Sequence, residues 1–355
     1  MNIISTCQMG PGTFEAKFIP LSKINYIDNI YVLRKQKGPQ IEKLHYIILP
    51  KICRVKWISF FITPLLLLYN TKKVKAKFII SYHIIPHAFY AYFASVLSGV
   101  PFSISQTGLF IQRYSENYIF KFLLLFIFKK AFIINIPGQK SKQHWIKKSV
   151  NPSKLNLLHS TISTEVFSNK KNNKEYDLIF MGRLAPEKNI DLILLALKKL
   201  KENGMEPSLV VVGDGPEKLK LKKLVSSYQL DNQINFVGFQ KDVGLWLNKA
   251  KVFVMASISD AMPTALMQAM ACELVCVSSN VGNISDLLKN KYNGFLFESN
   301  DLDGLYSVLL ESLDKNNNHN NLKLKARETV INFHSHISAI KKWKNIFEEL
   351  FSKKK

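Results

Sequence analysis

Apolar positions fall in two rhythms along the chain. Short apolar runs bounded by turn residues read as strands, and longer segments with apolar positions three and four apart read as helices. In the first half, strands are expected at Asn2-Ile-Ile-Ser-Thr, Asn29 to Leu33, Tyr46 to Leu49, Phe78 to Tyr82, Phe102 to Ser105 and Ala131 to Asn135, with apolar helical segments between them. A second series begins at Tyr176 to Met181 and continues through Ser208 to Val212, Gln233 to Phe239, Val252 to Ala256, Val275 to Ser279 and Gly294 to Phe297. The segment Ile190 to Glu202 has apolar residues at 190, 193, 194, 197 and 200, which is helical spacing. A last helix, Ala339 to Phe351, gathers Ile340, Trp343, Ile346, Phe347 and Leu350 on one stripe. Strands alternating with helices predict βαβ units and parallel sheets, an α/β fold.

The length of 355 residues exceeds what one core usually serves, so two domains are expected. The composition turns polar around Ser163 to Lys174, which places the boundary between residues 167 and 168. Two α/β halves with a polar link predict a cleft between them, a favoured ligand position. The four cysteines, Cys7, Cys53, Cys272 and Cys276, form no Cys-x-x-Cys pair, which fits a reducing cytoplasm rather than a disulfide scaffold. The residues after Met1 lack a signal-peptide order. The longest apolar runs, Ile58 to Tyr69 broken by Pro64 and Ile119 to Phe128 broken by Lys121, are too short to span a bilayer.

Charge changes this picture in one respect. Residues 1–167 hold 22 Lys/Arg against 5 Asp/Glu, while residues 168–355 hold 27 against 21. An excess confined to one half predicts a face for anionic partners. No nucleic-acid-binding signature accompanies it, so nucleic acid is not the expected partner. The segment Phe120 to Lys130 sets a large apolar payload beside cations, as interfacial segments do, which predicts peripheral attachment to an anionic membrane surface. A core helix ending in solvated lysines gives the same pattern.

Candidate chemistry lies at strand-to-helix turns. Asp260-Ala-Met-Pro-Thr-Ala-Leu-Met-Gln268 follows a buried-strand pattern and leads into a helix, whose unpaired N–H groups suit an anion. Arg183 and Lys188 share one loop stiffened by Pro186. Together they could clamp a diphosphate, Arg by its bidentate fork and Lys as a point charge; solvated loop charges are the alternative. In the first half, Gln8-Met-Gly-Pro-Gly12 is a turn whose Gly10 and Gly12 would let a ligand approach the backbone. His83 and His87 follow the Phe78 strand, as cleft residues or as capping and core histidines. No ligand spacing for a metal is present.

The run Phe-Met-Gly-Arg-Leu-Ala-Pro-Glu-Lys-Asn, then Val-Val-Gly-Asp-Gly-Pro, Asn-Phe-Val-Gly-Phe, Pro-Thr-Ala-Leu-Met-Gln-Ala-Met-Ala and Asn-Gly-Phe-Leu, in that order over about residues 176–300, resembles the C-terminal half of family 4 retaining glycosyltransferases. The resemblance implies a GT-B fold, two Rossmann-like doubly wound parallel-sheet domains facing each other across a cleft. The first would be residues 1–167, holding the acceptor, with the helix of about 339–355 packing back on it. The second, residues 168–338, would hold a nucleotide-sugar donor. It further implies that Arg183 and Lys188 meet the donor diphosphate, that Gly238 and Phe239 lie against the base, and that Asp260, Met262, Pro263, Thr264 and Gln268 complete the donor site.

The family pattern has two glutamates where this chain has Asp260 and Gln268, and a first-domain histidine where it has Thr107. Gly10, Gly12, His83 and Thr107 are the acceptor-side candidates, and Asp260, Arg183 and Lys188 the catalytic ones. The implied activity is sugar transfer with retention, from a nucleotide sugar to a glycan or polyprenyl-linked acceptor, in surface-polysaccharide synthesis at the inner face of the cytoplasmic membrane. The donor is a co-substrate; no metal or other cofactor is expected. The departures at residues 268 and 107 also admit a catalytically degenerate protein that binds nucleotide sugars or serves as a scaffold.

Overall fold

The computed structural model describes residues 1–106, 118–260, 262–314 and 316–352. Its first elements are β1 (Asn2–Thr6), α1 (Pro11–Ser22), β2 (Asn29–Arg34), β3 (Leu44–Ile48), α2 (Lys56–Lys73), β4 (Phe78–Tyr82), α3 (His87–Ser98), β5 (Phe102–Ser105), α4 (Tyr118–Lys130), β6 (Ile133–Ile136), α5 (Gln139–Lys147) and β7 (Leu155–Leu157). They are followed by β8 (Tyr176–Met181), α6 (Ile190–Glu202), β9 (Leu209–Val212), α7 (Lys218–Ser227), β10 (Ile234–Gly238), α8 (Val243–Asn248), β11 (Ala250–Met255), α9 (Thr264–Ala271), β12 (Val275–Ser279), α10 (Ile284–Leu287), β13 (Phe295–Phe297), α11 (Leu302–Leu313), α12 (Asn320–His334) and α13 (His336–Ser352). The short β7 carried no periodic signal and was not expected. Pro64 does not interrupt α2, which runs through it.

Two compact units result: Met1–Ser160 with His336–Lys355, and Thr161–Ser335. The change of unit falls earlier than the polar stretch that suggested residue 167. Ile162 N–H donates to His334 O at 2.9 Å, and Phe167 packs among the apolar residues of the second unit. These contacts bind residues 161–167 to the second unit, and α13 begins at His336 rather than Ala339.

The first unit is a parallel sheet in the order β3-β2-β1-β4-β5-β6-β7. One face is covered by α2, α3, α4 and α5 through Leu67, Ala91, Leu124, Phe128 and Trp145. The other is covered by α1 and α13, whose Trp343, Ile346, Phe347 and Leu350 pack with Phe14, Phe18 and Phe78. The second unit is a parallel sheet in the order β10-β9-β8-β11-β12-β13. Its faces bury Ile193, Leu197 and Leu200 of α6 on one side and Leu266, Met267 and Met270 of α9 on the other. Both faces of each sheet are covered, so the strands are near-continuous apolar runs rather than alternating ones.

In each sheet the strand order reverses once, between β1 and β4 and between β8 and β11. The loops leaving those two strands diverge to opposite faces and leave a crevice at the C-terminal edge.

Candidate functional site

The crevice of the second unit is built from the loops after β8 and β11. After β8, Pro186–Lys188 forms a 3-10 turn, and Asn189 ends it in the left-handed region at φ 49°. After β11, Ile258 N–H donates to Glu187 O at 2.9 Å, which pins one loop on the other. Lys188 Nζ then lies 2.5 Å from Asp260 Oδ2, with the two side chains only 20% and 17% exposed. The structure therefore brings together two candidates that are 72 residues apart in the chain. A carboxylate fixed on one side of the crevice orients the ammonium on the other; a cation so held needs little reorganisation to meet an anion.

Arg183 stands on the same loop, exposed, and its guanidinium has no partner among the described residues. Gln268 is half-buried on α9, its amide likewise without a partner among the described residues. The Met262 side chain is buried among the apolar residues under α9, so it is the backbone of this residue, not its side chain, that is available to the crevice. Pro263 precedes α9 and has no N–H, so the donors offered by the helix itself are those of its first turn, beginning at Thr264. Pro216 stands outside its helix too, since α7 begins at Lys218.

The loop after β9 supports this edge from behind. Gly213 has φ 144°, and a Cβ there would sit 1.8 Å from Gly182 O; a Cβ on Gly215 would sit 2.3 Å from Leu184 O. Gly182 N–H donates to Val212 O, Leu184 N–H to Asp214 O and Gly213 N–H to Gly238 O, at 2.8 to 3.0 Å. The Gly-Asp-Gly turn is thus glycine-rich so that the Arg183 loop can lie directly on it, not to admit a ligand. Gly238 is different: it has φ 69° and open space where a side chain would be, and Phe239 beside it is 74% exposed.

Polar groups that the sequence left unmarked complete the edge. Ser257 Oγ is fully buried without a partner among the described residues, while Ser279 Oγ donates to Ser257 O at 2.6 Å. Asn280 Nδ2 donates to Glu298 Oε1 at 3.2 Å, and Asn280 Oδ1 has no partner among the described residues. A polar residue directly after each apolar strand was the available signal.

In the first unit the β1 and β4 loops meet in the same way. His83, at φ 72°, donates from Nε2 to Gln8 O at 2.9 Å, and His87 Nδ1 lies 2.7 Å from Thr6 Oγ1. Burial pulls the His87 pKa down to about 3, with His83 and Lys35 adding to the effect; burial also lowers that of His83. Both rings are therefore neutral at pH 7.

A His that stays neutral when folded is protonated near its ordinary value of 6.5 when unfolded, so stability is full above pH 6.5 and falls as pH drops toward 3. His87 alone is expected to cost roughly 1 kcal/mol per pH unit in that window. Thermal melts from pH 7.5 to 5 should show the fall, and His87→Gln should flatten it; an unchanged slope would remove His87 as the cause.

Gly10 caps α1 with ordinary φ, and Gly12 lies inside the helix because Pro11 starts it. Neither has a neighbour within 4 Å of where a side chain would begin, so the turn is open but does not require glycine. Thr107 lies outside the described residues. Among the described residues no three His, Cys, Asp or Glu side chains are grouped to hold a metal.

Residues 161–329 match the family described as glycosyl transferases group 1. Over 98% of the chain and 97% of the relative, the sequence is 26% identical to the Escherichia coli UDP-Gal:alpha-D-GlcNAc-diphosphoundecaprenol alpha-1,3-galactosyltransferase. Among solved structures it superposes on Anabaena HepE in complex with UDP, with TM-score 0.82 and 14% identity over 98% of this chain and 100% of that one. It also superposes on a glycosyltransferase from Rickettsia africae, with TM-score 0.81 and 16% identity over 99% and 98%. The fold is that of GT-B glycosyltransferases.

Proposed function

Residues 161–329 form a domain of the glycosyl transferases group 1 family, and from that premise we propose that this glycosyltransferase moves a sugar, with retention, from a nucleoside diphosphate sugar to a lipid-linked glycan acceptor. The observation that carries this reading is the crevice between the β8 and β11 loops, where Lys188 is held by Asp260, Arg183 has no partner among the described residues, and the first turn of α9 has N–H groups without helical partners. The E. coli relative acts, by its name, on a sugar carried by diphosphoundecaprenol, which supports a polyprenyl-linked acceptor here.

In this scheme the donor diphosphate lies against Arg183 and Lys188, with the base beside Gly238 and Phe239. Negative charge grows on the diphosphate as the glycosidic bond breaks, and fixed cations stabilise that charge more in the transition state than in the ground state. Asp260 positions Lys188 and accepts from a donor-sugar hydroxyl; Gln268 binds the ribose hydroxyls. The cations and helix dipole meet the charge requirement, so the scheme asks for no metal. Gly10, His83 and the neutral His87 face the acceptor at the edge of the first sheet, and product formation at the inner face of a cytoplasmic membrane follows from an acceptor of that class.

Purified protein screened against UDP-, GDP-, TDP- and CMP-sugars by thermal shift tests the reading. A donor at about 100 times its Kd should add about 2.7 kcal/mol of stability. Binding of none of them would overturn it, and binding without turnover in the presence of acceptor would leave a nucleotide-sugar-binding protein. Gln268→Glu restores an anionic acceptor for the ribose hydroxyls. Charged hydrogen bonds contribute about 1 kcal/mol more than neutral ones, so up to about tenfold tighter donor binding is expected by calorimetry; weaker binding would place Gln268 away from the ribose.

A further inference from the structure

The face of the first sheet covered by α2, α3 and α4 carries an unusual load of exposed apolar side chains. On α2, Trp57 is 80% exposed, Phe61 66%, Leu65 55% and Tyr69 60%. These four recur every fourth position and so lie along one outward stripe, while Thr63, Pro64 and Leu67 of the same helix point into the fold. On α4, Phe122 is 74% exposed, with Leu123 and Phe126 exposed beside it.

The helix between them makes the surface continuous. Phe60 of α2 stacks on Phe89 of α3 at 5.6 Å, and Tyr92 of α3 meets Phe126 of α4 at 5.7 Å. Exposed aromatic residues in such a group exceed the scattered apolar exposure of ordinary surfaces. The same helix walls an apolar groove of about 730 Å³, lined by Phe122, Leu125, Phe126, Val150 and Lys129.

Charge identifies the partner. Residues 43–164 contain 17 Lys/Arg and a single acid, Glu116. Arg54 and Lys56 stand at the start of the α2 stripe, Lys72 and Lys73 at its end, and Lys129 and Lys130 at the end of α4, all exposed. None of these six forms an ion pair among the described residues.

We propose that this three-helix face docks on an anionic phospholipid bilayer, with Trp57, Phe61, Leu65 and Phe122 entering the headgroup–acyl boundary and the surrounding lysines and arginines meeting lipid phosphates. Aromatic and aliphatic side chains gain free energy by leaving water for that boundary, and each nearby cation adds attraction that falls with salt. A second copy of this chain fits less well, because two such faces would bring unpaired cations together. The groove beside α4 suits a lipid tail whose phosphate rests at Lys129. The docking is independent of sugar transfer, since it needs no turnover.

Flotation of the purified full-length chain with vesicles tests it. Binding is expected to vesicles of phosphatidylcholine with phosphatidylglycerol, to be at least tenfold weaker to phosphatidylcholine alone, and to fall as salt rises. The doubles Trp57→Ser/Phe61→Ser and Lys72→Glu/Lys73→Glu should each weaken flotation by roughly tenfold or more, without lowering the melting temperature, because all four side chains are exposed. Wild-type flotation by both doubles would overturn the proposal, as would no flotation of the parent chain. A concentration-dependent dimer that the Trp57→Ser/Phe61→Ser double dissociates, in a chain that does not float, would make the face an interface between copies instead.

Discussion

Lys188→Ala is expected to lower kcat/KM for sugar transfer by about 10²–10³-fold, the range found when one fixed donor to a developing negative charge is removed. The reason is geometric. Lys188 is already oriented by Asp260 at 2.5 Å in a largely buried position, so its charge reaches the leaving diphosphate without ordering a flexible side chain first. Arg183→Ala should cost less, about tenfold or somewhat more, because the exposed guanidinium must lose rotamer freedom on binding.

Removing Lys188 also leaves the Asp260 carboxylate without its counter-charge, which repels the donor in addition. The double Lys188→Ala/Asp260→Ala separates the two contributions: if repulsion by the orphaned carboxylate dominates, nucleotide binding recovers in the double; if lost stabilisation of the leaving group dominates, kcat stays low. Initial rates with each variant, alongside calorimetry with the nucleoside diphosphate, read both. Full activity in Lys188→Ala and Arg183→Ala together would sink the diphosphate assignment.

Gly213→Ala should be the most damaging single substitution for stability, at roughly 3 kcal/mol or more, because overpacking and a disallowed backbone conformation act together. The added carbon would sit 1.8 Å from the Gly182 carbonyl oxygen at a residue whose φ is 144°. Backbone cannot yield as a flexible side chain does, so the β8 and β9 loops must part. The Leu184 to Asp214 and Gly182 to Val212 hydrogen bonds are then strained, and Arg183 shifts with them.

Gly238→Ala is the control. It also has positive φ, yet has open space around the new carbon, so only the conformational cost of about 1–2 kcal/mol applies. Chemical denaturation of the two variants measures the difference. Equal, small losses would mean that the Gly-Asp-Gly turn is kept for a ligand rather than for loop packing.

Much of the fold was legible because strand and helix signals are local. Tyr176 to Met181 and Ile190 to Glu202 have the expected bounds, and the apolar stripe of the last helix contains Trp343, Ile346, Phe347 and Leu350, which α13 buries together with Ala339. Misreadings occurred where local signals compete. Pro64 breaks a hydropathy run but sits inside α2, and the polar stretch at residues 168–174 looked like the start of a domain although residues 161–167 already belong to it. Of the donor candidates, Lys188 and Asp260 meet at the crevice and Arg183 shares the Lys188 loop, while the Met262 side chain is buried and Pro263 has no N–H to give.

The sequence by itself determined the α/β class, the two series of strands and the residue types at the ends of those strands, since each depends on periodicity within a few turns of chain. Only the tertiary structure decided that β11 lies beside β8, which brings Asp260 to Lys188. Only it decided which side of α2 is buried, leaving Trp57, Phe61, Leu65 and Tyr69 outside. Strand order and helix rotation follow from crossover connections and from burial against a whole sheet, and these couple residues too distant in the chain for any local pattern to record.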